Sequence, residues 1–251
     1  MKPYYADAGV SLYLGDMREV LPTLDQFDAA IVDPPYGETT LPWDRWVDGW
    51  PAMIANHASS LWCFGSMRMF MDRRDEFSIW RLSQDLVWDK GVGTGLSSDR
   101  FKRSHEYVLL FYQGKWESIA KTPPRVPNSG SRRRGAQKQG RQNKDSAWDG
   151  VSADGAWVDD GTRLALSVIR CANLRGKAIH PTEKPAAILD PLIRYSVPVG
   201  GLVLDPFAGS GSTLLTARSL SRRAIGIEAD ERYCEAAAKR LSIPDLFGVT
   251  V

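Results

Sequence analysis

Four short apolar runs in this chain each end in a carboxylate, and that repetition restricts the fold more than any other feature. Ser11-Leu12-Tyr13-Leu14 leads to Gly15-Asp16, Ala29-Ala30-Ile31-Val32 to Asp33, Leu202-Val203-Leu204 to Asp205, and Ala224-Ile225-Gly226-Ile227 to Glu228. Each run has the length of a buried strand, and helical patterns are expected at 17–24, 213–220 and 231–241. Strands that alternate with helices predict a mostly parallel sheet joined by right-handed crossovers. In such a sheet the carboxyl ends of the strands share one edge, and ligands bind there at the topological switch point. The four acids are therefore expected to converge on one crevice. Further strands are expected at 61–64, 86–88 and 106–112, with helices at 42–58, 67–77 and 186–195.

Asp33-Pro34-Pro35-Tyr36 is the most unusual of these strand ends. Prolines cannot continue the strand's hydrogen bonding, and Pro34 has no amide hydrogen, so the local backbone offers mainly acceptors. Acceptors beside an aromatic ring suit a planar ligand that carries an amino group. Asp-Pro-Pro alone would serve equally as a turn. Trp43, Trp46 and Trp50 fall at i, i+3, i+7 spacing and read as a packing stripe on the expected 42–58 helix. Gly91-Val92-Gly93-Thr94-Gly95 alternates glycines, but the lysine and Ser/Thr of a phosphate loop do not follow. It is read as a flexible active-site loop. Gly209-x-Gly211 between a strand and a helix is the dinucleotide type of turn, with Glu228 19 residues after Gly209, near the spacing of an acid on a ribose hydroxyl. Thr213 and Leu214 stand where the third glycine would be, a departure towards the pattern of a methyl donor.

The net charge of +2 hides an uneven distribution, because residues 121–144 hold eight Lys or Arg and no acid. The rest of the chain is left net negative, and the strip, with Arg132, Arg133, Arg134, Lys138, Arg141 and Lys144, predicts a polyanion contact. Trp148 and Trp157, with Arg163, Arg170 and Arg175, are further candidates for groove or base contacts. Three scattered cysteines argue against a disulfide framework, and three scattered histidines show no metal-ligand spacing, so no metal is expected. Met1-Lys2-Pro3-Tyr4-Tyr5 lacks an apolar signal core, and no run nears the roughly 18 apolar residues of a membrane span. The expectation is a cytoplasmic protein with no membrane partner.

Together, DPPYG at 33–37, DPFAGSGST at 205–213, GIE at 226–228, LGD at 14–16 and HPTEKP at 180–185 make the chain similar to the S-adenosylmethionine-dependent DNA amino-methyltransferases. The catalytic motif precedes the glycine motif, which resembles the permuted beta group of that family. The resemblance implies an α/β, Rossmann-like methyltransferase fold with a mostly parallel twisted sheet, helices on both faces and circularly permuted motif order. It divides the chain into a catalytic half at 1–112, a target-recognition and DNA-binding region at 113–179, irregular and rich in Pro and Gly, and a cofactor-binding half at 180–251.

The implied function is site-specific transfer of a methyl group from S-adenosylmethionine to the exocyclic N6 of adenine in a flipped-out base. By resemblance, Asp33, Pro34, Pro35 and Tyr36 form the catalytic motif: Asp33 and the Pro34 carbonyl accept the amino hydrogens, and Tyr36 stacks on the base. For the cofactor, the family pattern puts Asp205, Phe207, Gly209 and Gly211 around the methionyl and ribose portions, with Asp33 bordering them and Thr213 near the carboxylate. Glu228 would accept from the ribose hydroxyls, Asp16 would hold the adenine amino group with Met17 beside it, and Thr182 and Lys184 would anchor the methionyl end. Double-stranded DNA, a homodimer and a cognate restriction endonuclease are the implied partners. Transfer to N4 of cytosine needs the same acceptor geometry. An RNA or protein amide methyltransferase is disfavoured by the permuted order and the basic strip. A catalytically silent nucleic-acid-binding module is disfavoured by the intact acids.

Overall fold

A computed structural model describes residues 1–7, 9–94, 98–128, 160–173 and 183–243. The chain divides into two units, Met1–Thr122 with Leu166–Val251, and Pro123–Ala165. In chain order the strands are β1 Tyr5–Asp7, β2 Val10–Leu14, β3 Ala29–Val32, β4 Ser60–Gly65, β5 Arg81–Thr94 and β6 Arg103–Tyr112. They continue with β7 Arg125–Pro127, β8 Thr162–Leu164, β9 Val168–Arg170, β10 Leu202–Asp205 and β11 Arg223–Glu228. The helices are α1 Met17–Val20, α2 Trp50–Ala55, α3 Met67–Asp72, α4 Ala186–Ser196, α5 Ser212–Ser219 and α6 Glu231–Leu241.

The larger unit holds a nine-stranded sheet in the order β1-β2-β11-β10-β3-β4-β6-β5-β9. From β2 to β4 the neighbours are parallel, whereas β6 pairs antiparallel with both β4 and β5. Every residue of β3 is buried, as expected for a central strand covered on both faces. Successive residues supply opposite cores. Ala29, Ile31, Trp62, Phe64, Val108 and Leu110 pack with α4, α5 and α6; Ala30, Val32, Leu61, Cys63, Leu109 and Phe111 pack with α1, α2 and α3. The result is a doubly wound α/β architecture. Among the described residues no helix is long and apolar enough to cross a membrane.

The expected 42–58 helix forms only at Trp50–Ala55. The Asp44 carboxylate accepts from the backbone N–H groups of Gly37 at 2.8 Å and Thr39 at 2.7 Å, which folds this stretch as a loop. Gly49 then takes a left-handed φ of 79°, so the helix starts afresh with Pro51 in its first turn. Trp46 and Trp50 still pack, with ring centroids 5.8 Å apart. The 67–77 helix ends at Asp72, and turns carry the chain on to Trp80. Residues 91–94 belong to β5, not to a loop, and the register between β5 and β6 shifts between Asp89 and Thr94. The glycines serve that irregularity, since a Cβ at Gly93 would lie 2.7 Å from the Cβ of Lys102; Gly95 lies outside the described residues. The stretch 113–179, expected to be irregular, supplies β9 to the large sheet, paired parallel to β5.

In the smaller unit β7 and β8 pair antiparallel, and the Arg125 guanidinium donates to the Thr162 hydroxyl at 2.6 Å and pairs with Asp160 at 3.1 Å.

Candidate active site

Strand β3 runs onward to β4 on one side, and its neighbour β10 runs onward to β11 on the other. Their crossover helices lie on opposite faces, which leaves a crevice at the carboxyl ends between them. The crevice has a volume of about 420 Å³, and Asp16, Asp33, Asp205 and Glu228 all line it. That volume is in the range of small-molecule sites.

Three of the acids belong to the half built on β2, β10 and β11. Asp205 ends β10, is 4% exposed, and accepts from the Phe207 N–H at 3.1 Å. Burial pushes its carboxyl up to about 7, even though the Thr213 hydroxyl and the Phe207 amide favour the charged form. Glu228 ends β11 and clamps the glycine turn: its Oε2 accepts from the Gly209 N–H at 2.7 Å and its Oε1 from the Asp230 N–H at 2.8 Å. Burial also raises Glu228. Gly211 has φ 73°, and a Cβ there would lie 3.2 Å from the Ala237 Cβ of α6, so any side chain would be strained and crowded. Asp16 caps α1, accepting from the Arg18 amide at 2.8 Å, and its carboxyl is held low by hydrogen bonds from the Arg18 guanidinium. Met17 is buried below it, while Phe207, Gly209 and Thr213 line the crevice. Phe207 stands edge-on to Trp50 at 5.9 Å.

The fourth acid sits at the head of a buried charged cluster. Asp33 Oδ1 accepts from the Tyr36 hydroxyl at 2.8 Å, and Oδ2 is ion-paired with the Lys184 ammonium. Lys184 also lies 3.6 Å from Glu106 Oε2, while Glu106 Oε1 is paired with Lys90. Phe64 presents its ring 5.0 Å from the Lys184 ammonium. Burial pushes the Asp33 carboxyl up against the pull of Lys184. Glu106 is held below its usual range, because Lys184 and Lys90 outweigh its burial. Lys184 is held high by Asp33 and Glu106 despite burial. The Tyr36 phenol is raised well above its ordinary value by burial and then by the adjacent Asp33, so it stays protonated.

The structure therefore brings Asp16, Asp33, Pro34, Pro35, Tyr36, Lys184, Asp205, Phe207, Gly209, Thr213 and Glu228 to one crevice. Gly211 shapes the turn beside it. Lys184, assigned by resemblance to the methionyl end of the cofactor, makes its ion pairs with Asp33 and Glu106. Thr182 and the basic residues Arg132, Arg133, Arg134, Lys138, Arg141 and Lys144 lie outside the described residues, as do Trp148, Trp157 and Arg175. Glu106, Trp43, Asp44 and Tyr233 also line the crevice, beyond the residues expected there. Glu106 carries one readable signal, an acid at the head of the apolar run Tyr107–Tyr112. Trp43 is hidden by the helical spacing of its stripe.

Residues 27–239 match the model of a family described as DNA methylase. The type II methyltransferase M.ScaI of Streptomyces caespitosus is 27% identical over 271 residues, covering 96% of this chain and 84% of that protein. Among solved structures, the M1.HpyAVI–SAM complex aligns with a TM-score of 0.63 at 22% identity, over 92% of this chain and 99% of the other. The PvuII DNA methyltransferase, titled cytosine-N4-specific, aligns with a TM-score of 0.65 at 17% identity, over 98% and 91%. These two likenesses show a shared fold. The chain belongs to the DNA methylase family of N6- and N4-directed enzymes, which use S-adenosylmethionine as methyl donor.

Proposed function

We propose that this chain methylates the exocyclic N6 of adenine at a specific site in double-stranded DNA, on a base flipped into the crevice. The observation that carries the reading is the meeting of Asp33, Pro34 and Tyr36 with Asp205 and Glu228 in one cavity at the switch point. The donor set fits the cofactor: carboxylates suit a sulfonium cation and ribose hydroxyls, and the apolar walls of Met17, Pro206 and Phe207 suit a purine. S-adenosylmethionine, when bound, supplies an electrophilic methyl group. Glu228 and Asp205 would hold its hydroxylated and methionyl portions, Asp16 its adenine amino group, and Thr213 its carboxylate.

The amino nitrogen of the target is conjugated with its ring and is a poor nucleophile. Asp33 and the Pro34 carbonyl accept its two hydrogens and draw it towards a tetrahedral form, while Tyr36 stacks on the base. In the free protein the Tyr36 hydroxyl occupies Asp33 Oδ1. An entering amino group replaces that donor. The aspartate at the head of the tetrad follows the adenine habit of the family, and the same acceptors would serve N4 of cytosine. The basic strip at 121–144 is proposed to hold DNA phosphates, within a target-recognition region at 113–179. A homodimer and a cognate restriction endonuclease are proposed partners. Expression in cells that lack DNA methylation, followed by sequencing that distinguishes N6-methyladenine from N4-methylcytosine, tests base and site together. N6-methyladenine in one short motif is expected. N4-methylcytosine, or unmodified DNA with an active-site-intact protein, would overturn the reading.

A further inference from the structure

Beside the catalytic crevice a second groove of about 470 Å³ opens, and Glu38 and Arg103 line both cavities. We propose that this groove, with Arg68, Arg100, Phe101, Lys102, Arg103 and His105 in its walls, binds the DNA phosphodiester backbone next to the extruded base. The inference rests on the reading of the crevice as a site for a flipped base. It concerns residues distant in sequence from the basic strip at 121–144.

Charge is the first support. The groove gathers Arg68, Arg100, Lys102 and Arg103 against Glu38 and neighbouring Asp99, on a chain that is net negative outside the 121–144 strip. Position is the second. Arg103 lies 3.5 Å from Glu38 Oε2, and Glu38 is itself held by the Ser66 hydroxyl, so this guanidinium stands at the partition between the two cavities. A nucleotide whose base occupies the crevice carries its phosphates out past that partition. The third support is built geometry. Gly93 lets β5 pass so close to Lys102, just ahead of β6, that only the absence of a Cβ leaves room for the Lys102 stem, and the Arg100 guanidinium is set by Asp99 at 2.7 and 2.8 Å. Phe101, between these two cations, is fully exposed at 102%. A solvated aromatic ring flanked by cations suits a base face and its phosphates together.

Arg68, Phe101 and Lys102 are all exposed, so their replacement leaves the fold intact, which a thermal melt checks. Because phosphate binding is independent of sequence, a labelled duplex of arbitrary sequence is a sufficient probe. Its affinity is measured by fluorescence anisotropy across a potassium chloride series for wild type, the double variant Arg68→Gln/Lys102→Gln, and Phe101→Ala. The double variant is expected to lower the log-log salt slope by about 0.9 for each phosphate it no longer neutralises. Phe101→Ala is expected to weaken binding of a labelled single-stranded oligonucleotide, whose base faces are free, by about tenfold at fixed salt with the slope unchanged. Calorimetric binding of S-adenosylmethionine is expected to be equal in all three proteins. A wild-type slope in the double variant overturns the groove assignment while methyl transfer stands, and so does a change of oligomeric state in place of the slope change. A groove-dependent slope in a wild-type protein that binds no S-adenosylmethionine keeps the groove as a phosphate site but sinks the enzymatic reading, and with it the groove's place beside an extruded base.

Discussion

Replacing Lys184 with methionine measures what the buried ammonium contributes to the fold. The side chains of Lys184, Asp33 and Glu106 are 7%, 20% and 12% exposed, so solvent screens their charges weakly. At 3.6 Å and an effective dielectric of roughly 20, one such pair attracts by about 4–5 kcal/mol before desolvation is counted. Removing one partner of a buried pair costs roughly 3–5 kcal/mol, because the other charge is stranded. Glu106 retains Lys90, so the stranded group is Asp33, left among the described residues with the Tyr36 hydroxyl as its side-chain donor. Lys184→Met should therefore destabilise the protein by about 3–5 kcal/mol in urea unfolding followed by tryptophan fluorescence. Asp33 can escape part of this by taking a proton. With its folded value raised, the missing stability grows as pH rises and shrinks in acid. Adding Asp33→Asn neutralises the stranded charge, so the double variant should recover about 2–3 kcal/mol relative to the sum of the single losses. Additivity of the two single substitutions to within about 0.5 kcal/mol would refute the electrostatic account.

Asp33→Ala should abolish methyl transfer in a tritiated-methyl assay while S-adenosylmethionine affinity falls much less; transfer near the wild-type rate would remove Asp33 from the mechanism. Asp205, raised by burial to about 7 from 3.8, keeps its proton in the folded state after the unfolded chain has lost it. Its contribution is thus fully present below about pH 4 and is lost as pH rises through about 7, amounting to roughly 4 kcal/mol. Asp205→Asn should flatten this part of the stability–pH curve, and parallel curves for wild type and variant between about pH 4 and 8 would contradict the assignment. Replacing Arg132, Arg133 and Arg134 with glutamine should weaken duplex binding and reduce its salt slope. An unchanged slope would count against phosphate binding by the strip.

The crevice is legible in the sequence because its acids follow directly on strands, and a parallel sheet leaves no freedom about where strand ends go. Asp33, Asp205 and Glu228 need only local pattern plus topology. Glu106 needs more. It reaches the cluster from β6, an antiparallel strand whose order in the sheet, between β4 and β5, has no mark in the sequence. Lys184 is read as a cofactor ligand by resemblance alone, and its ion pairs with Asp33 and Glu106 join residues too far apart in the chain for any local pattern to mark. The 42–58 stretch misleads because tryptophan spacing carries a helical period, while the Asp44 carboxylate reaches back to the Gly37 and Thr39 amides and ties the start of the stretch to the loop before it. Alternating glycines at 91–95 look like a loop when the strand they must pass is unknown.

The pairing of β3 with β10, Ala29 beside Val203 and Ala30 beside Leu204, is a seam between polypeptide segments that lie on opposite sides of the 113–179 region. Each half carries its own acids to that seam. A molecule that engages Asp33 together with Asp205 or Glu228 is therefore a brace across it, tying one segment to the other from above the sheet. Its binding energy adds to the cohesion of the two halves. The protein would be sturdier when charged with donor, and hydrogen exchange at Ala29, Ala30, Val203 and Leu204 would slow with it.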